Sequence, residues 1–321
     1  MFSGAGGLDL GLIQAGNEVV WANDWDVDAV RTYRQNVDRD IVCEDIAKIK
    51  SADIPDSDVV VGGFPCQGFS RANWQRVKGD QRNKMYHQLL RVVKDKKPLY
   101  FLAENVRGIL SFAGGKAIKQ ILQDFSNAGY RVKYKLFNLA DYGVPQSRRR
   151  VIIAGTSKTL PEELDYSFPK PTHCDPSKCK ETNLLPWETI SKALQGIPEP
   201  RGDCSDLSNH ICSQYKVTNR DFTGHRLTAD DKPSPTILAR GNAKGGVCVI
   251  QHPRNHRRLS VRETAVIQTF PLDFEFVGSM TSCYRQVGNA VSVLFAKHLG
   301  KGLKLLERKL KSLKRRSRRC A

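Results

Sequence analysis

Short β-branched and aromatic runs alternate with helical-length stretches over roughly the first 155 residues of this chain. That alternation predicts βαβ units around a parallel sheet. The predicted strands are Glu18–Asn23, Val59–Gly62, Tyr100–Ala103, Arg131–Asn138 and Arg150–Ala154. Helices are predicted over Asp26–Asn36, Met85–Lys94 and Gly115–Ala128. After about Thr156 the alternation fades. From there to about Thr281 the chain is rich in Pro, Gly, Asn and Asp, as expected of a smaller, loop-rich second domain. Helical spacing returns at the C-terminus, where Leu299, Leu303, Leu306, Leu310 and Leu313 form one apolar stripe. A helix docked on the first domain is expected there, followed by a solvated basic tail, Lys314-Arg315-Arg316-Ser317-Arg318-Arg319.

Composition narrows the class. At 321 residues, 40% hydrophobic and 26% charged, the chain is globular, with room for one large domain or two ordinary ones. It contains no run of about 18 apolar residues and opens without the basic and apolar regions of a signal peptide. A cytoplasmic, prokaryotic intracellular protein is expected.

Charge changes the picture more. The formal net charge is +18, but residues 1–60 hold 5 basic and 12 acidic side chains, whereas residues 301–321 hold 10 basic and one acidic. A basic body with an acidic opening points to a polyanionic partner and a separate acidic pocket. The nine cysteines are odd in number and lack a CxxC pair, which predicts reduced thiols. His173, Cys174, Cys179, Cys204, His210 and Cys212 lie in one region, but their spacing is poor for zinc, and no metal site is expected.

Gly4-Ala5-Gly6-Gly7 precedes a helix-compatible stretch, and Asp24 follows Gly4 by 20 residues. Glycines at a strand-to-helix turn let backbone approach a ligand, and an acid at that distance can accept from ribose hydroxyls. Trp25 is placed to lie against a purine, and Asp45 to accept from its amino group. These residues fit any adenosine-containing cofactor with a ribose, or simply a tight turn.

A second constellation carries reactive groups. Val59–Gly62 runs into Gly63-Phe64-Pro65-Cys66, placing a thiol at the carboxyl edge of the sheet. Tyr100–Ala103 ends in Glu104 at the same edge. In Gln146-Ser147-Arg148-Arg149-Arg150, alternation puts Gln146, Arg148 and Arg150 on one face. Thiol, carboxyl group and guanidinium converge if strand order permits.

Together these motifs resemble the DNA (cytosine-5) methyltransferases of the restriction–modification type. The resemblance covers nearly all of the chain. It rests on Phe2-Ser3-Gly4-Ala5-Gly6-Gly7, Asn23-Asp24-Trp25, Asp45-Ile46, Pro65-Cys66-Gln67, Glu104-Asn105-Val106 and Gln146-x-Arg148-x-Arg150, then Arg258 through Pro271 and Gln286-Val287-Gly288-Asn289-Ala290-Val291. It implies a Rossmann-like S-adenosylmethionine-dependent α/β domain over residues 1–166, a target-recognition domain over 167–281, and a C-terminal segment, 282–321, returning to the first domain. Cys66 would add to cytosine C6, Glu104 would hold the proton at N3, and Arg148 and Arg150 would bind O2. S-adenosylmethionine would be lined by Phe2, Gly4, Gly6, Asp24, Trp25, Asp45, Ile46, Pro65, Met85, Asn289 and Val291, with Asn289 also tying the returning segment to the core. The partner implied is double-stranded DNA with the target base flipped out. A cognate restriction endonuclease and a monomeric enzyme are further expectations. Arg201, Lys216, Arg220, Arg226, Arg240 and Lys244 are candidate DNA contacts, and Thr236–Gly241 is expected as a strand and turn facing a groove.

One departure stands out. Only Met1-Phe2-Ser3 precede the glycine turn, where family members carry a central strand, so a weakened sheet beside the cofactor's methionine end is expected. A transfer-RNA methyltransferase of the same fold and a catalytically weak DNA-binding remnant stay open. A nicotinamide dehydrogenase would leave Cys66 and Glu104 without a role.

Overall fold

A computed structural model of the chain describes residues 1–65, 85–179, 182–200, 207–212, 228–239, 250–254 and 257–319. In chain order its elements begin with α1 (Gly7–Gln14), β1 (Asn23–Asp24), α2 (Val27–Asn36), β2 (Val42–Cys43) and β3 (Val59–Gly62). Next come α3 (Met85–Lys96), β4 (Tyr100–Val106), α4 (Lys116–Asn127), β5 (Tyr130–Asn138), β6 (Gln146–Ser147) and β7 (Arg149–Ser157). The remainder comprises β8 (His173–Cys174), β9 (Leu185–Pro186), α5 (Ile190–Ala193), β10 (Ser234–Pro235), α6 (Val261–Ile267), α7 (Met280–Asn289) and α8 (Val293–Arg319).

The main sheet has the order β3-β4-β7-β5. Its alternation sorts side chains to two faces. Phe101, Ala103, Val151 and Ile153 pack under α3 and α4 with Leu89, Val93, Ile121 and Phe125. On the other face Tyr100, Leu102, Ile152 and Ala154 meet α1 and α8 through Leu12, Phe295, Leu299 and Leu303. The leucine stripe of the sequence is thus the sheet-facing side of α8, while Leu305 is exposed. A third core joins Ile190, Ile237, Leu259, Phe270, Tyr284 and Val293 to Ala5 of the glycine turn.

The sheet is mixed, not parallel. β3 and β4 are parallel, but β7 runs antiparallel to both β4 and β5. Only residues 139–148 connect β5 to β7, too few for a helical crossover, so the chain returns beside itself. The expected strand Glu18–Asn23 is reduced to Asn23–Asp24, which pairs with β2. Val20 is 53% exposed, but Val19, Trp21 and Ala22 reach neighbouring cores, so the run is shortened as a strand and still packed.

Met1–Ser3 bridges the two sheet pieces. The Met1 amino group donates to Val61 O at 2.8 Å, and Ser3 N donates to Asn23 O at 2.9 Å. α1 lies against α8 so closely that a Cβ on Gly11 would stand 2.4 Å from the Ala296 Cβ. Cys174 and Cys179 form a disulfide, correcting the expectation of reduced thiols throughout; their Cα atoms are 5.6 Å apart, within the span a disulfide bridges. Among the described residues, no helix is long and apolar enough to cross a membrane.

Candidate active site

The glycine turn is held from below and open above. Gly4 and Gly6 have φ of +53° and +94°, a left-handed backbone that side chains resist. A Cβ on Gly6 would strike the Val37 methyl at 2.7 Å and the Tyr33 ring at 2.9 Å, so α2 forms the floor. A Cβ on Gly7 would lie 2.4 Å from Val291 O, so the returning C-terminal segment forms one wall. At Gly4 nothing stands within 4 Å of the added atom. This is a cradle shaped for a ligand approaching backbone.

Acidic groups line it. Asp24 leaves β1 at its carboxyl end, and its two oxygens accept from Gly4 N at 2.8 Å and Asp26 N at 2.9 Å. Burial pushes its carboxyl above the usual range, against the pull of those amides. Trp25 next to it is 73% exposed, an open flat surface. Asp45 follows the adjacent parallel strand β2 and is half-buried, with Oδ1 capping Ala47 N at 2.9 Å. Phe2, at φ 55°, and Met85 pack at the margin of the core beneath this edge. Pro65 is half-buried and Val291 is buried. Ile46 is a core residue, 2% exposed, whose carbonyl accepts from Arg91 Nη2 at 2.9 Å.

Beneath the turn, Ser3, Asp9 and Tyr33 form a buried polar cluster, with both hydroxyls beside the Asp9 carboxyl. Burial pushes the Asp9 carboxyl up, and burial together with the neighbouring Asp9 pushes the Tyr33 phenol up. An open glycine cradle, an exposed indole and two acids on adjacent strand ends fit an adenosine cofactor bearing a ribose. Sequence reading alone had not singled out Asp9 or Tyr33; both occupy helix positions that look like ordinary surface and core.

The second constellation assembles at the carboxyl ends of β3 and β4. Asn105 Nδ2 donates to Phe64 O at 3.2 Å, fixing the turn after β3 against β4. Gly63 lies beside Glu104, since a Cβ there would stand 3.4 Å from Glu104 Oε2. Glu104 Oε1 is 2.7 Å from Arg150 Nε, with side chains 14% and 11% exposed. Register explains the pair: Glu104 faces Ile152 and Val106 faces Arg150, so the two charges are diagonal neighbours on one face. Cys66, directly after Pro65, lies outside the described residues, as do Arg201, Lys216, Arg220, Arg226, Arg240, Gly241 and Lys244.

Gln146, Arg148 and Arg150 do point inward while Ser147 and Arg149 are exposed, as the alternation predicts. Their surroundings differ, however. Arg148 is 1% exposed and gives its Nη groups to the carbonyls of Ile237, Gly288 and Ala290. Its Nη donors are thus committed to backbone carbonyls, although Glu104 and Arg150 lie near enough to act on its charge. Asn289 is exposed, so it does not tie the C-terminal segment down. That work falls to Arg148 and to Gln268, whose Nε2 donates to Val287 O and Ala290 O.

Thr236–Ala239 is not a strand facing a groove. Strand pairing stops at Ser234–Pro235, against Gln146–Ser147. Both the amide and the carbonyl of Ile237 are taken by Gln146 and Arg148, so the segment docks inward. His210, considered as a metal ligand, is 1% exposed with Nδ1 on Ser260 Oγ and Nε2 on Pro198 O. Among the described residues no group of three or more potential ligands could hold a metal ion.

Comparison with known proteins agrees with this geometry. Residues 1–305 match the family model of the C-5 cytosine-specific DNA methylases. The type II methyltransferase M.NgoFVII of Neisseria gonorrhoeae is 40% identical, over 91% of this chain and 82% of that protein. M.FnuDI of Fusobacterium nucleatum, also a type II methyltransferase, is 35% identical over 95% of this chain and 93% of its own length. Among solved structures, a prophage-encoded E. coli protein described as a DNA modification methyltransferase superposes with a TM-score of 0.71 at 26% identity, covering 96% of this chain and 98% of that one. The Dnmt2 methyltransferase of S. pombe shares the fold, with a TM-score of 0.67 at 20% identity over 96% of this chain and 97% of its own.

Proposed function

Because this chain belongs to the C-5 cytosine-specific DNA methylase family, it is a DNA (cytosine-5) methyltransferase, and we propose the following division of labour among its residues. The observation that carries it is the Glu104–Arg150 pair, nearly buried and set beside the Gly63–Pro65 turn that leads into Cys66.

Cytosine C5 is a weak nucleophile. The Cys66 thiolate adds to C6 of the ring, and the electron pair of the C5–C6 bond becomes available at C5. Glu104, taking up a proton from solvent as the base enters, passes it to N3, so negative charge does not accumulate on the ring, and Arg150 holds the O2 oxygen. S-adenosylmethionine, when bound, supplies an electrophilic methyl group to C5. A water molecule takes the C5 proton, N3 returns its proton to Glu104, and Cys66 departs as thiolate, which restores the aromatic ring. Phe2, Gly4, Gly6, Asp24, Trp25, Asp45, Pro65, Met85, Asn289 and Val291 form the cofactor cradle, with Ile46 supporting it from the core.

Residues 167–281 serve as the target-recognition region, reading a short sequence in double-stranded DNA and working with a base flipped into the cleft. The similarity to type II methyltransferases makes the chain the modification half of a restriction–modification system. It acts as a monomer alongside a cognate endonuclease.

The test is incubation with methyl-labelled S-adenosylmethionine and unmethylated genomic DNA, with a Cys66→Ala variant and a folded RNA alongside. Label in DNA, absent in the variant, with sequencing that places 5-methylcytosine in one recurring sequence, is the expected result. Label in RNA alone overturns the DNA reading.

A further inference from the structure

Arg148 is a buried guanidinium whose hydrogen bonds run to backbone carbonyls. Nη1 donates to Ile237 O at 2.7 Å; Nη2 donates to Gly288 O at 2.9 Å and Ala290 O at 3.1 Å. Its Nε is buried without a partner, and burial lowers its proton affinity. Fully buried Gln146 completes the arrangement. Its Oε1 accepts from Ile237 N at 2.9 Å, and its Nε2 donates to Gln268 Oε1 at 3.0 Å. Around them, Ser234 N donates to Pro145 O at 2.9 Å and Thr236 Oγ1 donates to Ser147 O at 2.8 Å. Gly288 lies flush against the same segment, since a Cβ there would stand 2.3 Å from the Leu238 carbonyl carbon.

Three stretches distant in sequence therefore meet at one point: the strand run 146–150, the 234–239 segment, and the turn at the end of α7. Apolar side chains could bury that contact at lower cost than a charge lacking a carboxylate partner. They would leave the angle between the stretches loosely defined. A planar fork bonded to two of them fixes it. Two residues beyond Arg148, on the same extended backbone, Arg150 pairs with Glu104. Residues 240–249, which include the basic Arg240 and Lys244, follow directly from the docked segment.

We propose that Arg148 is a positioning residue that joins the 234–239 segment of the recognition region to the strand carrying Arg150, so that correct seating of DNA on that region sets Arg150 and Glu104 for the base. The inference rests on the reading above that the chain methylates cytosine in DNA. Its consequence is that Arg148 influences which sequences are methylated while touching no base. Lysine cannot replace it, because a single ammonium does not reproduce the fork.

The test uses the full chain, unmethylated genomic DNA and sequencing that resolves 5-methylcytosine. The wild type first defines its recurring sequence. In Arg148→Lys, the single-turnover rate at that sequence falls about 10- to 100-fold, the size expected for lost hydrogen bonds to a charged group. Methylation at sites differing by one base pair, relative to the wild-type sequence, rises about tenfold as coupling is lost. Rates are taken at saturating S-adenosylmethionine, because Arg148 bonds the Gly288 and Ala290 carbonyls beside Asn289 and Val291 of the cradle and its replacement also loosens cofactor binding. If activity falls only in proportion to the folded fraction, with sequence preference unchanged, Arg148 is merely structural and the proposal is overturned.

Thr236→Val, which removes a bond at the edge of the junction, covers the case in which Arg148→Lys does not fold. Its preference should relax in the same direction by about twofold to threefold, and an unchanged preference overturns the proposal equally. A wild type that labels no DNA fails the parent reading and takes this inference with it, an outcome distinct from an active wild type whose variants keep their preference.

Discussion

Arg150 Nε lies 2.7 Å from Glu104 Oε1, across antiparallel strands and one diagonal step apart in register. The charges neutralise one another at a depth where either alone would be costly to bury. In the proposed function the carboxyl group meets a ring nitrogen of the base and the guanidinium meets the neighbouring carbonyl oxygen. Asn105 holds Phe64 O, and with it the approach to Cys66, against the same strand end.

If the pair handles the base in this way, Glu104→Gln loses the proton donor but keeps the shape. The single-turnover methylation rate should fall by about 10²- to 10⁴-fold, a typical loss for a positioned proton-transfer group. Arg150→Ala should cost about 10²- to 10³-fold. The double variant should fall well short of the product of the two, because the residues act as a unit. Rates measured with labelled S-adenosylmethionine on one DNA substrate decide this.

The close approach at Gly7 predicts a stability defect. A methyl group there would meet Val291 O at 2.4 Å, and backbone cannot move aside cheaply. Gly7→Ala should destabilise the protein by about 1–3 kcal/mol, with a fall in Tm of about 3–10 °C. It should also weaken cofactor binding, since Val291 walls the cradle. Thermal melts with and without S-adenosylmethionine separate the two effects.

Much of this was legible from residue patterns alone. β3 lies where its β-branched run predicts, and β4, β5 and β7 each contain the predicted core of the strand. Convergence of Glu104 with Arg150 follows from strand-end placement and alternation. What local patterning cannot encode is partner and direction. The antiparallel course of β7 depends on a short connection, and the shortening of β1 depends on what lies beside it. Arg148 reads like Arg150 in sequence, yet one meets carbonyls from residues some 90 and 140 positions away and the other a carboxylate. Ile237 looks like part of an exposed strand until its amide and carbonyl are seen to be occupied.

Burial at Asp9 gives a pH dependence with a definite sign. Its folded-state pKa is raised above the free value of 3.8, chiefly by desolvation and despite the nearby Met1 amino group. The unfolded chain therefore ionises first as pH rises, and stability falls from about pH 4 upward until the folded carboxyl also ionises. Asp9→Asn removes this contribution. Its stability relative to wild type should improve as pH rises above about 4, level off once the folded carboxyl ionises, and show no gain below the free value of 3.8. Denaturant melts across that range test it.

The charge distribution predicts strongly salt-dependent DNA binding. With net charge +18 and an apolar-striped α8 ending in a basic run, several phosphates should be contacted. Six such contacts would reduce affinity by about 10³-fold between 50 and 200 mM salt. Replacing Lys314, Arg315, Arg316, Arg318 and Arg319 by Ala should flatten the dependence without changing the methylated sequence. Binding titrations at several salt concentrations measure the slope.

The most direct measurement concerns the covalent step. Duplex DNA containing the recognised sequence with 5-fluorocytosine at the target position is incubated with the protein and S-adenosylmethionine. Fluorine at C5 cannot leave as the proton does, so the adduct should persist. The account predicts a denaturant-stable protein–DNA species of one-to-one mass, joined at Cys66 and absent in Cys66→Ala. Methyl transfer to unmodified DNA with no such species, or a species that survives Cys66→Ala, would contradict it.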